Sequence, residues 1–366
     1  MTRPARPDRR RLGQHLGRLA LGTSLSPWRL LGTASATRAA ATATALAPLA
    51  LSGCATLGDD GSAQARALLA NPPADLPRAV HLAGTPFFPQ TELQCGPATL
   101  ATLLQAIGRP VSPAELTPQL FVPERGGSLQ IEMLAAPRRH DALATRLPQR
   151  LDAVLRELAA GHPVGVMQNL ALDWVPMWHF AVLIGFDLDR REAILRSGTT
   201  REQRLDLLTF ERTWARSQRW AFTVLPPEQL PATAELPAVR EACLGFERVA
   251  PPARAVTAWQ TAARRWQGDL VIGMGLGNSL LQAERPDDAA QAFTQVAEQT
   301  DAAAAWNNLA NVRLRQGRLP EARDAARRAV LRAATAEPAL QGATRATLAE
   351  VEAAFAAVAP TSVPRP

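Results

Sequence analysis

The chain has no lysine: every one of its 40 basic residues is arginine. With alanine so abundant, this is a compositional habit, and no single arginine stands out as a functional device. Cysteine is scarce. Cys54, Cys95 and Cys243 are too few for a disulfide framework. No glycine-rich phosphate loop is present, so ATP binding has no support. The longest Ala/Thr/Leu stretch, Ala39 to Gly53, is fifteen residues, short for a hydrocarbon core of about 30 Å. The net charge of +7 also loses its meaning on inspection. Residues 1–54 hold eight arginines and one acid, Asp8, and the remainder balances at 32 basic and 32 acidic residues. A basic surface for nucleic acid is therefore not expected.

The basic start and the apolar stretch have the layout of a signal peptide. The stretch ends in Leu51-Ser52-Gly53-Cys54, which resembles the lipobox of bacterial lipoproteins. That resemblance implies cleavage before Cys54, lipidation of Cys54 and a membrane anchor without a transmembrane helix. No aspartate follows Cys54. By resemblance to enterobacterial sorting, the expected location is the cell envelope, at the periplasmic face of the outer membrane.

Cys95 lies in Gln90-Thr91-Glu92-Leu93-Gln94-Cys95-Gly96-Pro97-Ala98, where a helical pattern begins. A helix N-terminus favours thiolate over thiol. Eighty-four residues on, His179 opens the apolar run His179-Phe180-Ala181-Val182-Leu183-Ile184-Gly185-Phe186. A histidine near a thiol can take its proton and return it to a leaving amine. Helices are expected at 95–107, from Pro113, from Ser128 and from Gln149 to Ala160. Strands are expected at Pro163–Gln168, His179–Phe186, Glu192–Arg196 and Trp220–Leu225. Helices first and strands after is an α+β order.

The Gln90, Cys95-Gly96-x-Ala98, Gly161-x-Pro163-Val164 and His179-Phe180 elements together resemble the peptidase C39-like members of the papain-like cysteine peptidases. The resemblance implies Cys95 as nucleophile, His179 as base and acid, and Gln90 as an oxyanion donor with the Cys95 N–H. The glutamine stands five residues before the cysteine, where the family has six, and Gln94 is the alternative donor. The family places Asp or Asn after the strand that follows the histidine strand. Here that strand delivers Ser197. Asp187 lies eight residues along the histidine strand, about 26 Å away. His81, His140 and His162 read as solvated loop residues. Trp174 and Trp178 read as either cleft walls or core. Asp187, Asp189 and Glu192 read as a charged hairpin tip, with no His/Cys set for a metal.

From residue 253 the pattern is helical. Leu276-Gly277-Asn278 with Asp288-Ala289 and Phe293 repeats 33 residues later as Leu309-Ala310-Asn311 with Glu321-Ala322 and Ala326. Ala258-Trp259 and Ala262 fit an earlier unit. This resembles tetratricopeptide repeats, which implies a groove for a protein segment.

The expected organisation is a signal peptide (1–53), a tether with a short helix at Ala63 to Leu69 (54–80), a C39-like domain (81–226), a Pro-rich linker (227–252), an all-α repeat region (253–356) and a tail (357–366). The expected function is a lipid-anchored envelope cysteine peptidase that needs no cofactor or metal. Its partners would be a peptide or protein substrate and a protein held by the repeats. The alternative is an inactive peptide-binding scaffold of the same fold.

Overall fold

The computed structural model describes residues 60–89, 94–122 and 127–358. Cys54 and Gln90 lie outside them. The chain begins with α1 (Ala63–Ala70), β1 (Ala79–His81), α2 (Cys95–Ala106), α3 (Pro113–Leu120), β2 (Phe121–Val122) and β3 (Gly127–Ser128). Then come α4 (Gln130–Ala135), a 3-10 turn (Ala136–His140), β4 (Leu143–Arg146), α5 (Leu151–Ala159) and β5 (Val164–Asn169). The long β6 (Trp178–Asp187), β7 (Glu192–Ser197), β8 (Thr200–Asp206), α6 (Leu207–Ala215) and β9 (Ala221–Leu225) follow. The remainder is helical: α7 (Leu236–Glu247), α8 (Pro252–Arg265), α9 (Leu270–Gln282), α10 (Pro286–Thr300), α11 (Ala303–Arg315), α12 (Leu319–Arg332) and α13 (Pro338–Val358).

Seven strands form one antiparallel sheet in the order β4-β9-β5-β6-β7-β8, with β1 also beside β6. The α+β expectation holds, with helices on both faces. Alternation along β6 sends Phe180, Val182 and Ile184 into the cluster with Leu100, Leu103 and Leu104 of α2. Ala181 and Leu183 go to the other side, against α1, α5 and α6. A register shift at Ile184 then turns Phe186 onto that second face. Gly185 sits where a Cβ would come within 2.4 Å of the Val80 carbonyl. The close passage of β1 therefore requires glycine.

The helix expected from Ser128 starts at Gln130, because Gly127–Ser128 pairs with Phe121–Val122. Gly161 stops α5 at φ +86°. Several elements carried no clear sequence signal, among them β1, β4, β8 and α6.

Within the stretch read as a tether, residues 60–80 pack onto the folded core. Ala65, Leu68 and Leu76 are buried against α5 and α6. The buried carboxylate of Glu211 on α6 accepts from the N–H groups of Gln64 (3.4 Å) and Ala65 (2.6 Å), and is paired with Arg219. It closes the N-terminus of α1, where negative charge is favoured.

The stretch read as a linker is also ordered. It contains α7, and Val239, Ala242, Cys243 and Phe246 pack with Leu143 of the edge strand and Trp259 and Ile272 of α8 and α9. The prolines mark the ends of α7; they do not loosen the join. His162 was read as solvated, but its Nδ1 lies 2.8 Å from the buried Glu157 carboxylate. Glu157 also accepts from the N–H groups of Ala232 (3.1 Å) and Thr233 (2.7 Å) and from the Thr233 hydroxyl (2.6 Å). Burial alone would raise its pKa, but these hydrogen bonds outweigh burial and hold it below the carboxylate range.

In the helical part, α9 presents glycines to its neighbours. A Cβ on Gly275 would fall 2.5 Å from the Trp259 ring, and one on Gly277 2.4 Å from the Phe293 ring. The 34-residue spacing of these two aromatics thus places each against one glycine of the same helix. No described helix is long and apolar enough to cross a membrane.

Glu157→Ala should cost about 3 kcal/mol, since it removes the buried carboxylate that the connector's Ala232 and Thr233 N–H groups and the Thr233 hydroxyl bond to. Denaturant unfolding would check this. Because the folded pKa is lowered, the carboxylate's contribution is present above the ordinary carboxylate range and fades as pH falls through the folded value. The deficit of the variant should therefore shrink below about pH 4.

Candidate active site

Cys95 is the first residue of α2. Its N-cap, Gln94, offers no side-chain hydrogen bond to the helix, so the first N–H groups beside the thiol are not capped by that side chain. Pro97 sits in the first turn, where its missing N–H costs nothing. The thiol is half-buried and packs against the cluster that contains Phe180 and Val182 of β6. Gly96 is required here: a Cβ would lie 2.2 Å from Ser128 Oγ and 2.5 Å from Ser128 Cβ. The short strand β3 thus closes over the start of α2.

His179 is the second residue of β6, opposite Gln168 on β5. Its Nε2 and the Ser197 hydroxyl share a 2.9 Å hydrogen bond. The β6–β7 pairing makes this possible, since Val182 faces Arg196 across the ladder. Burial lowers the His179 pKa, and the serine beside it is neutral. The ring is therefore held uncharged at neutral pH. Asp187, at the far end of β6, accepts from the N–H groups of Asp189 and Arg190 and closes the hairpin turn.

The structure brings His179 and Ser197 together. Among the described residues, no hydrogen bond joins the Cys95 thiol to either. Alternation puts His179 on the side of Ala181 and Leu183, and Gln168 donates to Thr213 Oγ1 of α6 on that side (2.6 Å). Cys95, at the start of α2, packs against the cluster that holds Phe180 and Val182. Gln94, the alternative oxyanion donor, is exposed. Trp174 and Trp178 are exposed and not core. No group of three or more His, Cys, Asp or Glu residues suited to a metal occurs among the described residues.

Residues 83–222 match the Peptidase_C39 like family. This part of the chain resembles a C39-like peptidase domain in fold. Residues 274–338 match the tetratricopeptide repeat, so a repeat region follows the C39-like domain. No curated protein matches the chain. Among solved structures, a C39-like peptidase from Bacillus anthracis is 18% identical, covers 41% of this chain and 98% of its own, and has a TM-score of 0.36. A double glycine motif protease from an AMS/PCAT transporter, in complex with the leader peptide, is 22% identical over 38% of this chain and 91% of its own, TM-score 0.30. The Yersinia enterocolitica type III secretion translocator chaperone SycD is 17% identical over 33% of this chain and 84% of its own, TM-score 0.31.

Sequence reading missed Arg196, the neighbour of Ser197. Its buried guanidinium donates to the carbonyls of Ala83 (2.9 Å), Thr85 (2.9 and 3.2 Å) and Arg201 (2.5 Å). It therefore fixes the segment that leads toward Gln90 and Cys95 in the C39-like domain. An arginine closing the apolar strand Ala193-Ile194-Leu195 was the available signal. Cys243, by contrast, is buried in α7, and burial, with Glu247 adding to it, pushes its thiol up to about 12. It is a poor nucleophile.

Gly96→Ala should lower the thermal midpoint by several degrees, because Ser128 and the start of α2 must separate. Calorimetry of the two proteins measures this. An unchanged midpoint would mean that β3 does not close over the helix start.

Proposed function

We propose that the C39-like domain is a cysteine peptidase acting at the cell envelope, with Cys95 as nucleophile and His179 as base and acid. The His179–Ser197 hydrogen bond is the observation that carries this reading. It occupies Nε2 and leaves Nδ1 as the ring nitrogen available for the thiol proton. The thiol and ring would meet around the open end of β6, where Trp178 is half exposed. Contacts of this kind are commonly loose without substrate.

The steps follow from these groups. Nδ1 takes the Cys95 proton as sulfur attacks the peptide carbonyl. The proton then passes to the leaving amine as the C–N bond breaks and the thioester forms. Water, deprotonated by the same nitrogen, releases the acid and restores the thiol. Gln90, with the Cys95 N–H, would donate to the oxyanion; such a donor is worth about 10²–10³ in rate. Ser197 orients the ring but does not stabilise a positive one. The resting imidazole is therefore neutral, and His179 acts as a general base. The repeat region would hold a protein partner or substrate segment, and Cys54 would carry the lipid anchor. The second reading, an inactive peptide-binding scaffold, draws on the neutral serine and on the unbonded thiol.

A peptide electrophile that labels thiols separates the two. Labelling of Cys95 should exceed that of Cys243 and fall about 10²-fold or more in His179→Ala. Ser197→Ala should cost about tenfold, the equivalent of one hydrogen bond. The acid limb of the rate should lie below 6.5, the ordinary histidine value, because burial lowers His179. In Ser197→Asp the limb should move up, since a carboxylate favours imidazolium. Equal labelling of native protein and His179→Ala would favour the scaffold. Separately, Cys54→Ser should release the protein into the soluble fraction; retention in the membrane would count against lipidation.

A further inference from the structure

The β5–β6 hairpin ends in an apolar tip that neither the cores nor the peptidase chemistry uses. Leu170, Leu172, Trp174, Val175, Met177 and Trp178 are all exposed, Trp174 to 78% and Val175 to 64%. Six large apolar side chains within nine residues exceed the scattered exposure of a soluble surface. The tip is not loose chain. The buried Asn169 accepts from the N–H groups of Ala171 (3.1 Å) and Met177 (2.9 Å). Leu170 N–H donates to the Met177 carbonyl (2.9 Å) and Val175 N–H to the Leu172 carbonyl (3.1 Å). Arg216 donates to the Ala171 carbonyl (2.8 Å). These bonds hold the tip in one shape while its apolar side chains stay exposed. A held cluster of exposed apolar side chains suits an apolar surface.

A second observation concerns where the described chain begins. Asp60 accepts from Arg212 of α6 (2.7 and 3.0 Å). Arg216, one turn further along, is the residue that grips the tip. Asp60, where the described chain begins, and the apolar tip are therefore tied to consecutive turns of one helix end. The six residues from Cys54 to Asp60 reach at most about 20 Å. A lipid on Cys54 would be tethered within that length of Asp60. Tryptophan favours the membrane–water interface, its ring apolar and its N–H polar. The tip carries one acid, Asp173, with Arg216 4.0 Å away, so it presents no net charge against phospholipid.

We propose that residues 170–178 form a membrane-interface anchor, which docks the C39-like domain with the His179 end of β6 at the bilayer surface. Its occupant is a phospholipid bilayer, and the candidate active site would then meet peptides close to the membrane. The docking does not depend on whether Cys95 is catalytic.

The test uses the chain from Thr56 onward, which retains all four buried clusters. This protein should sediment with phosphatidylcholine vesicles, with little gain from added phosphatidylglycerol and little loss in salt. Brominated acyl chains should quench its tryptophan emission, and Trp174→Phe should remove much of that quenching. The double substitution Trp174→Ser and Val175→Ser, at two exposed positions, should leave the thermal midpoint unchanged and weaken vesicle binding at least tenfold. Cys95→Ala should bind vesicles like the native chain, so a failed peptidase reading leaves this test intact. No sedimentation of the native chain, or equal sedimentation of native and doubly substituted chains, overturns the anchor. Loss of peptide-electrophile affinity in the double variant, with no vesicle binding by either protein, would make the tip a substrate rim and also overturns it.

Discussion

The pairing of β6 with its neighbours is the constraint on which the N-terminal part depends. β6 is bordered by β5 and β1 on one side and by β7 on the other. Its alternating side chains feed both buried clusters. The β7 register decides what stands beside His179. A slip of one residue would exchange Ser197 for Arg196, moving a guanidinium away from the carbonyls of Ala83 and Thr85. The hydrogen bond to the imidazole and the anchoring of the chain before Cys95 are thus set by one ladder.

Much of this was legible in the sequence. The helix at Cys95 announces itself through Gly96, Pro97 and the apolar run behind them. The strand at His179 announces itself through β-branched and aromatic residues. Ser197 follows from counting back along a hairpin. The misses share a cause: tertiary partners supply what local sequence does not. β1 is three residues long and exists because β6 extends past β5. β8 carries mostly exposed polar residues, so no apolar alternation marks it. The stretches at 60–80 and 227–252 look like connectors because proline and alanine dominate them. Glu211 and Glu157, from distant parts of the chain, order them by accepting their backbone N–H groups. How the Cys95 thiol lies relative to the His179 ring could not be read from residue types, since it depends on where a helix start meets a strand end.

The two parts of the chain are joined through a packed junction. Trp259 contributes to the α7 cluster with Leu143 of the sheet edge, and Arg254 bridges Asp141 and Glu228. A ligand held by the repeats would consequently have a fixed direction relative to the C39-like domain. The chemistry proposed for that domain starts from an uncharged imidazole. Burial lowers the imidazole pKa and the serine does nothing to raise it. Proton transfer would occur during attack rather than before it.

The central claim is that the ring of His179 and the thiol of Cys95 communicate. Nitrogen NMR of the imidazole, before and after alkylation of Cys95, tests it most directly. The account predicts a ring protonated on Nε2 toward Ser197, with an Nδ1 resonance that shifts when Cys95 is alkylated. An Nδ1 resonance unmoved by alkylation would contradict it and leave the fold without its proposed nucleophile–base pair.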